Sequence, residues 1–140
     1  MDVTIDAAKL AQAAIDAKEL SYSPYSKFRV GAAILTKSGK LYTGCNIESA
    51  AYSPTCCAER TALVKAVSDG EREFAAVAVA GGADGGEAQY CYPCGVCRQF
   101  LKEFSSDDMP VIVAKTADDF VIHKLVELLP YGFGPENLEL

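Results

Sequence analysis

The chain has 140 residues, half of them apolar, with six Cys and a formal net charge of −6. That length suits one hydrophobic core and a single domain over residues 1–140; the composition is too apolar for disorder, and no apolar run approaches the roughly 20 residues that span a bilayer. The acidic balance, without any cluster of Lys and Arg, argues against long nucleic acid as a partner and favours a small neutral ligand.

Asp2 and Asp6 stand where a secretory leader would carry bases, so a soluble cytoplasmic protein without membrane association is expected. Residues 3–20 predict an amphipathic helix, because Leu10, Ala13, Ala14 and Ala17 recur at helical spacing and Thr4 can cap it. Residues 28–36 and 41–45 predict two strands joined by the turn Lys37-Ser38-Gly39-Lys40, a hairpin. Pro54-Thr55 predicts the start of a second helix that reaches about Ser68 and is ended by Gly70. Residues 74–80 predict a buried strand, and residues 81–86 a loop. Pro93 opens a third helix over 94–104, followed by short strands at 111–114 and 120–123 and a helical turn at 124–129 before Pro130. Strands separated by helices imply crossovers and parallel pairing, hence an α/β fold: a three-layer α/β/α sandwich on a mixed five-stranded sheet.

The chemistry concentrates in two segments, Cys56-Cys57-Ala58-Glu59-Arg60 and Pro93-Cys94-Gly95-Val96-Cys97, each at the start of a predicted helix. In a reducing compartment clustered Cys more often hold metal or do chemistry than form disulfides. Cys94 and Cys97 are three apart, so their thiols share a helix face, and one Cys of the first segment completes a three-thiolate set. Three protein ligands leave the fourth position of zinc open, which is the catalytic arrangement. Three thiolates on a dication leave about −1; two helix N-termini add about half a charge each, and Arg60 facing the sulfurs adds one more, a charge-compensating role. A closed site with Cys91 as fourth ligand is the competing reading, that of a non-catalytic zinc module. Regular helix spacing puts Cys56 rather than Cys57 on the face of Glu59, which leaves the choice between the two thiols open.

Taken together, the stretches Tyr22-Ser23-Pro24-Tyr25-Ser26, Phe28-Arg29-Val30-Gly31-Ala32-Ala33, Gly44-Cys45-Asn46-Ile47-Glu48, Cys57-Ala58-Glu59-Arg60-Thr61-Ala62, Pro93-Cys94-Gly95-Val96-Cys97-Arg98-Gln99 and Leu128-Leu129-Pro130 with Phe133-Gly134-Pro135 make nearly the whole chain resemble the cytidine deaminase family, specifically its small homotetrameric class. The resemblance implies zinc held by Cys57, Cys94 and Cys97, with Glu59 as the catalytic proton shuttle, a pattern of zinc deaminases. It implies that Asn46 and Glu48 bind the ribose 3′-hydroxyl, that Phe28 packs on the base, and that the Ala58 backbone meets its polar edge. Ala50, Tyr52 and Phe133 match positions that act across subunit interfaces, so a homotetramer with shared active sites is implied. The implied reaction is hydrolytic deamination of cytidine and deoxycytidine to uridine and deoxyuridine plus ammonia, in pyrimidine salvage. A deaminase of another aminopyrimidine nucleoside, such as blasticidin S, is the alternative. The chain departs from the family pattern at Ser49, at Tyr92 and at the second thiol, Cys56. Cys45, Cys56 and Cys91 read as small buried thiols, and the single His, His123, reads as structural.

Overall fold

The computed structural model describes residues 3–138, so Met1 and Asp2 of the acidic N-terminal stretch, like the last two residues of the domain, lie outside it. Helix α1 is Ala7–Lys18, and its cap is Asp6 rather than Thr4: the Asp6 carboxylate accepts from the Lys9 N–H at 3.2 Å. Strands β1 (Phe28–Thr36) and β2 (Leu41–Cys45) pair antiparallel. Their turn needs a residue with positive φ, which Gly39 supplies at 95°. Helix α2 is Ala58–Ser68, strand β3 Phe74–Ala83, strand β4 Ala88–Gln89, and helix α3 Gly95–Glu103. Strands β5 (Pro110–Thr116) and β6 (Asp119–Lys124) lead to the short helix α4 (Leu125–Leu128) and a closing 3-10 turn, Pro135–Leu138.

The main sheet runs β2-β1-β3-β5-β6, and β4 adds two residues to the end of β3. The β3–β5 pair is parallel and the others are antiparallel, so the five-stranded path is mixed as expected. Period-two alternation splits β3 between two cores. Val77 and Val79 join Leu63 of α2 and Leu101 of α3 on one face, while Ala76, Ala78 and Ala80 meet Leu10, Ala11 and Ala14 of α1 on the other. The result is the three-layer α/β/α sandwich, with α1 alone on its side. No helix among the described residues is long and apolar enough to cross a membrane.

Two of the differences from the sequence reading lie at the site. Helix α2 starts at Ala58 rather than near Pro54, because Cys56 is held in extended form by a two-way backbone pair with Ile47 at 2.9 Å. The 81–86 loop is shorter than expected: Gly81 and Gly82 continue β3, pairing with both β1 and β4. A Cβ on Gly81 would stand 2.9 Å from the Cys91 Sγ, so glycine here marks close packing rather than a bend.

Helix α2 sits directly on Gly44 of β2, where an added Cβ would lie 2.6 Å from the Ala62 N and 2.7 Å from the Ala58 O. Backbone cannot yield as a side-chain tip can. Gly44→Ala is expected to cost about 1–3 kcal/mol or more and to weaken metal retention by displacing the start of α2. Gly95→Ala, which would meet nothing within 4 Å, is expected to change stability by less than about 0.5 kcal/mol. Thermal denaturation of the two variants beside the parent measures the contrast.

Candidate metal centre and active site

Crossover connections bring the N-termini of α2 and α3 side by side at one end of the sheet. Cys57 is the N-cap of α2 and Cys94 the N-cap of α3, both with extended backbone; Cys97 follows in the first turn of α3. Their Sγ atoms converge: Cys57 to Cys94 is 3.7 Å and Cys94 to Cys97 is 3.5 Å, and all three lie within 4.8 Å of one another. Tetrahedral zinc with bonds of about 2.3 Å demands sulfur–sulfur edges of about 3.8 Å, so the donor set fits that ion. Cys57, Cys94 and Cys97 form the one group of three or more possible ligands that close together among the described residues. Cys91 is outside it, which removes the closed four-Cys reading. Cys56 is outside it as well: its sulfur accepts from the Thr61 hydroxyl at 3.5 Å. Cys45, Cys56 and Cys91 are half-buried rather than fully buried.

Charge follows this geometry. The hydrogen bond from the Cys97 thiol is the largest force holding Cys57 below the usual thiol range, at about 5, and Arg60 adds to it against the opposing effect of burial. Arg60 Nη2 donates to the Cys57 sulfur at 3.5 Å and to the Thr55 carbonyl at 3.4 Å. The contact with Cys57 in turn keeps the guanidinium firmly protonated. Cys97 moves the opposite way, raised first by its hydrogen bond to Cys57 and then by burial. The thiols therefore share protons: the first leaves Cys57, and its negative charge keeps the proton on Cys97. A dication among the sulfurs reverses that hold, since metal binding releases thiol protons. Arg60 Nε is buried without a hydrogen-bond partner, and the guanidinium meets the sulfur through Nη2.

A cavity of about 350 Å³ opens beside the sulfurs, and its wall includes Phe28, Asn46, Glu48, Cys57, Ala58, Glu59 and Cys94. Glu59 is 4 % exposed, and burial, with the Cys57 charge assisting, pushes its carboxyl up to about 7. Asn46 is nearly spent on the fold: its Nδ2 donates to the Phe28 carbonyl at 2.8 Å, and its Oδ1 accepts from the Val30 N–H at 2.9 Å and from the Ser21 hydroxyl. One Nδ2 hydrogen remains. Glu48 Oε1 accepts from the Tyr25 and Ser26 N–H groups at 3.0 and 3.1 Å, and Oε2 from the Ser26 hydroxyl. The Ser26 hydroxyl is the main reason Glu48 stays below the usual carboxylate range.

Tyr92 also lines the cavity, and its ring leans on His123 with centroids 5.6 Å apart. Ala50, Tyr52 and Phe133 are not brought to the cavity by this chain. Tyr52 stands edge-on to Tyr25 beside it, 72 % exposed, and Phe133 is 57 % exposed. Sequence reasoning missed Ser21 and Ser26, which orient the two sugar-binding candidates. The signals were the polar turn around Pro24 and, for Ser26, its place in the stretch Tyr22-Ser23-Pro24-Tyr25-Ser26, neither of which says where a hydroxyl points.

A family profile described as "Cytidine and deoxycytidylate deaminase zinc-binding region" matches residues 5–113. The cytidine deaminase of Sporosarcina psychrophila is 47% identical over 134 residues, covering 96% of each chain. That of Halalkalibacterium halodurans is 43% identical over 134 residues, covering 96% of this chain and 98% of the relative. Among solved structures, the cytidine deaminase from Burkholderia pseudomallei superposes with a TM-score of 0.83 at 40% identity, over 92% of this chain and 100% of that one. The enzyme from Mycobacterium tuberculosis superposes with a TM-score of 0.80 at 34% identity, over 94% and 99%.

Metal analysis of purified variants separates the adjacent thiols. Cys57→Ala is expected to lose zinc, and Cys56→Ala to keep it at the parent stoichiometry. The reverse result would reassign the ligand.

Proposed function

This chain is a member of the cytidine deaminase family, a zinc-dependent enzyme, and from that premise we propose that it deaminates free cytidine and deoxycytidine in pyrimidine salvage. One observation carries the reading: three thiols with no fourth ligand among the described residues stand at a cavity lined by Cys57 and Cys94, where Glu59 is buried and its carboxyl is pushed up to about 7. Zinc held by Cys57, Cys94 and Cys97 supplies the Lewis acidity that makes water a competent nucleophile near neutrality.

The chain's own residues do the rest. Phe28 packs on the pyrimidine face, and the Ala58 backbone meets its polar edge. The spare Nδ2 hydrogen of Asn46 and a free lone pair of Glu48 take the ribose 3′-hydroxyl. A contact there does not read the 2′ position, so both nucleosides fit. Glu59 removes a proton from the attacking water and delivers it to N3 as oxygen bonds to C4. It then carries the second water proton to the departing amine as the C4–N4 bond breaks, leaving the uracil carbonyl and ammonia. A carboxyl of pKa near 7 can both accept and return a proton at that pH, which a solvated Glu does poorly.

We further read the whole chain as one domain working in a reducing, cytoplasmic setting, where its six free thiols persist. It assembles as a homotetramer in which Ala50, Tyr52 and Phe133 complete the sites of neighbouring subunits. Two features support this. Tyr52 keeps a left-handed backbone at φ 63° in a hydrogen-bonded turn that leaves its ring largely exposed beside Tyr25. Exposed Phe133 is held in place, its carbonyl accepting from Gln99 Nε2 at 2.7 Å.

Glu59→Gln is expected to keep zinc and to lose about 10²–10⁴-fold in kcat, measured by the absorbance change of cytidine; near-parent turnover would end the shuttle role. In the zinc-stripped protein the same variant isolates a stability term. The folded-state pKa of Glu59 is raised from 4.5 to about 7, so its contribution is full below pH 4.5 and lost as pH rises to about 7. The stability of the parent relative to Glu59→Gln should fall across that window; Cys57 contributes with the opposite sign in both proteins and, through its coupling to Glu59, cancels only in part. Sedimentation should give a tetramer, and Phe133→Ala should lower kcat/KM while protomer folding is retained. A fully active monomer would refute the shared site.

A further inference from the structure

We propose that Arg98 is the positioning residue that holds Cys94 in its metal-binding geometry, an inference that rests on the zinc-site reading above. The three thiols are not held alike. Cys97 is 0 % exposed, fixed by packing, and Cys57 is half-buried with Arg60 on its sulfur. Cys94 is exposed, its side chain caps no backbone group, and a Cβ on the following Gly95 would meet nothing within 4 Å. Packing therefore does not fix this ligand.

Arg98 does so through the backbone. Its N–H donates to the Cys94 carbonyl at 3.0 Å, and its side-chain Nε donates to the Pro93 carbonyl at 2.6 Å. The Pro93 carbonyl lies in the peptide plane before Cys94 and the Cys94 carbonyl in the plane after it. Fixing both planes fixes the Cys94 backbone at φ −68° and ψ 167°, and with it the direction in which Sγ leaves the chain. The guanidinium is itself anchored, because Nη1 donates to the Leu128 carbonyl at 2.8 Å. Leu128 ends α4, whose Leu125 is buried in the core under α2 and α3. Arg98 thus ties an otherwise open ligand to a part of the fold 30 residues further along the chain. A planar guanidinium can donate in two directions from one rigid group; a lysine ammonium on a flexible stem cannot reproduce both bonds with the same geometry. Since zinc–ligand distances tolerate only about 0.2 Å, a small rotation of the Pro93–Cys94 plane is enough to weaken the site.

The test measures zinc release to a chromogenic chelator from the intact protein, with thermal midpoint and kcat followed in parallel. Arg98→Met should release zinc about 10–100-fold faster than the parent, the usual cost of losing a group that orients a ligand, and Arg98→Lys should fall between. Arg72→Met is the control. Arg72 also makes two carbonyl bonds, to Val67 at 2.6 Å and Glu71 at 3.0 Å, but beside the far end of α2. It should lower the thermal midpoint without changing the release rate. Parent-rate release from Arg98→Met would overturn the proposal, as would equal release from the Arg98 and Arg72 variants at matched loss of stability. Failure of both Arg98 variants to fold would also overturn it, by assigning the residue to global stability. A parent without zinc would sink the zinc reading itself, whereas a zinc-loaded parent with an indifferent Arg98→Met sinks this inference alone.

Discussion

Three sulfurs within 4.8 Å of one another are the constraint on which the rest of the structure depends. As thiolates they repel strongly, so the fold must supply positive charge from several directions. Two helices start at this one place, and helix N-termini carry unsatisfied N–H groups equivalent to about half a positive charge each. Arg60 adds a full charge on the Cys57 side. Placing two helix starts side by side requires α2 to lie against β2 at Gly44, without even a methyl group between them. The glycine in the second strand and the metal centre are therefore parts of one packing decision.

Most of the sheet was legible in the sequence because its central strands are apolar runs bounded by turn signals. The first two strands have the expected bounds, 28–36 and 41–45, and the mixed character of the sheet followed from helix–strand alternation. What misled was local chemistry with two meanings. Pro54-Thr55 has the form of a helix start, yet it is part of a loop, because Cys56 pairs with Ile47 and holds the chain extended for one more residue. Gly81 and Gly82 have the form of a loop, yet they are strand, small because Cys91 and the 87–88 backbone press against them. Both features depend on what approaches from elsewhere in the chain, and no window of sequence contains that.

The same distinction explains the site. Choosing Cys57 over Cys56 could not be settled by helix periodicity, because Cys57 is an N-cap with β-region backbone and the spacing rule applies only inside the helix. Family motifs named the candidate residues for substrate and metal, since those have fixed chemistry. They gave no role to Ser26 or Arg98, which lie within those stretches, and Ser21 lies outside them. Ser21 on Asn46, Ser26 on Glu48 and Arg98 on Pro93 each span contacts set by tertiary approach. Side chains that orient others leave weaker traces in one sequence than side chains that react.

Residues 57 and 59 illustrate how neighbouring groups are driven to opposite protonation states. Both sit at the same helix start and both face the same buried space. For Cys57, donors aimed at the sulfur outweigh the cost of burial, and the thiol ionises readily. For Glu59, which is buried, desolvation outweighs the weaker pull of its own N–H and of Arg60, and the charge on Cys57 adds to the rise. The decisive asymmetry is where Arg60 points. Because its guanidinium meets the sulfur through Nη2, it pairs with the thiolate and leaves the carboxyl poorly compensated. Turned toward Glu59, the same cation would hold that group ionised and unable to return a proton. Stabilising the metal ligand and keeping the carboxyl titratable near neutral pH are thus one arrangement of one side chain.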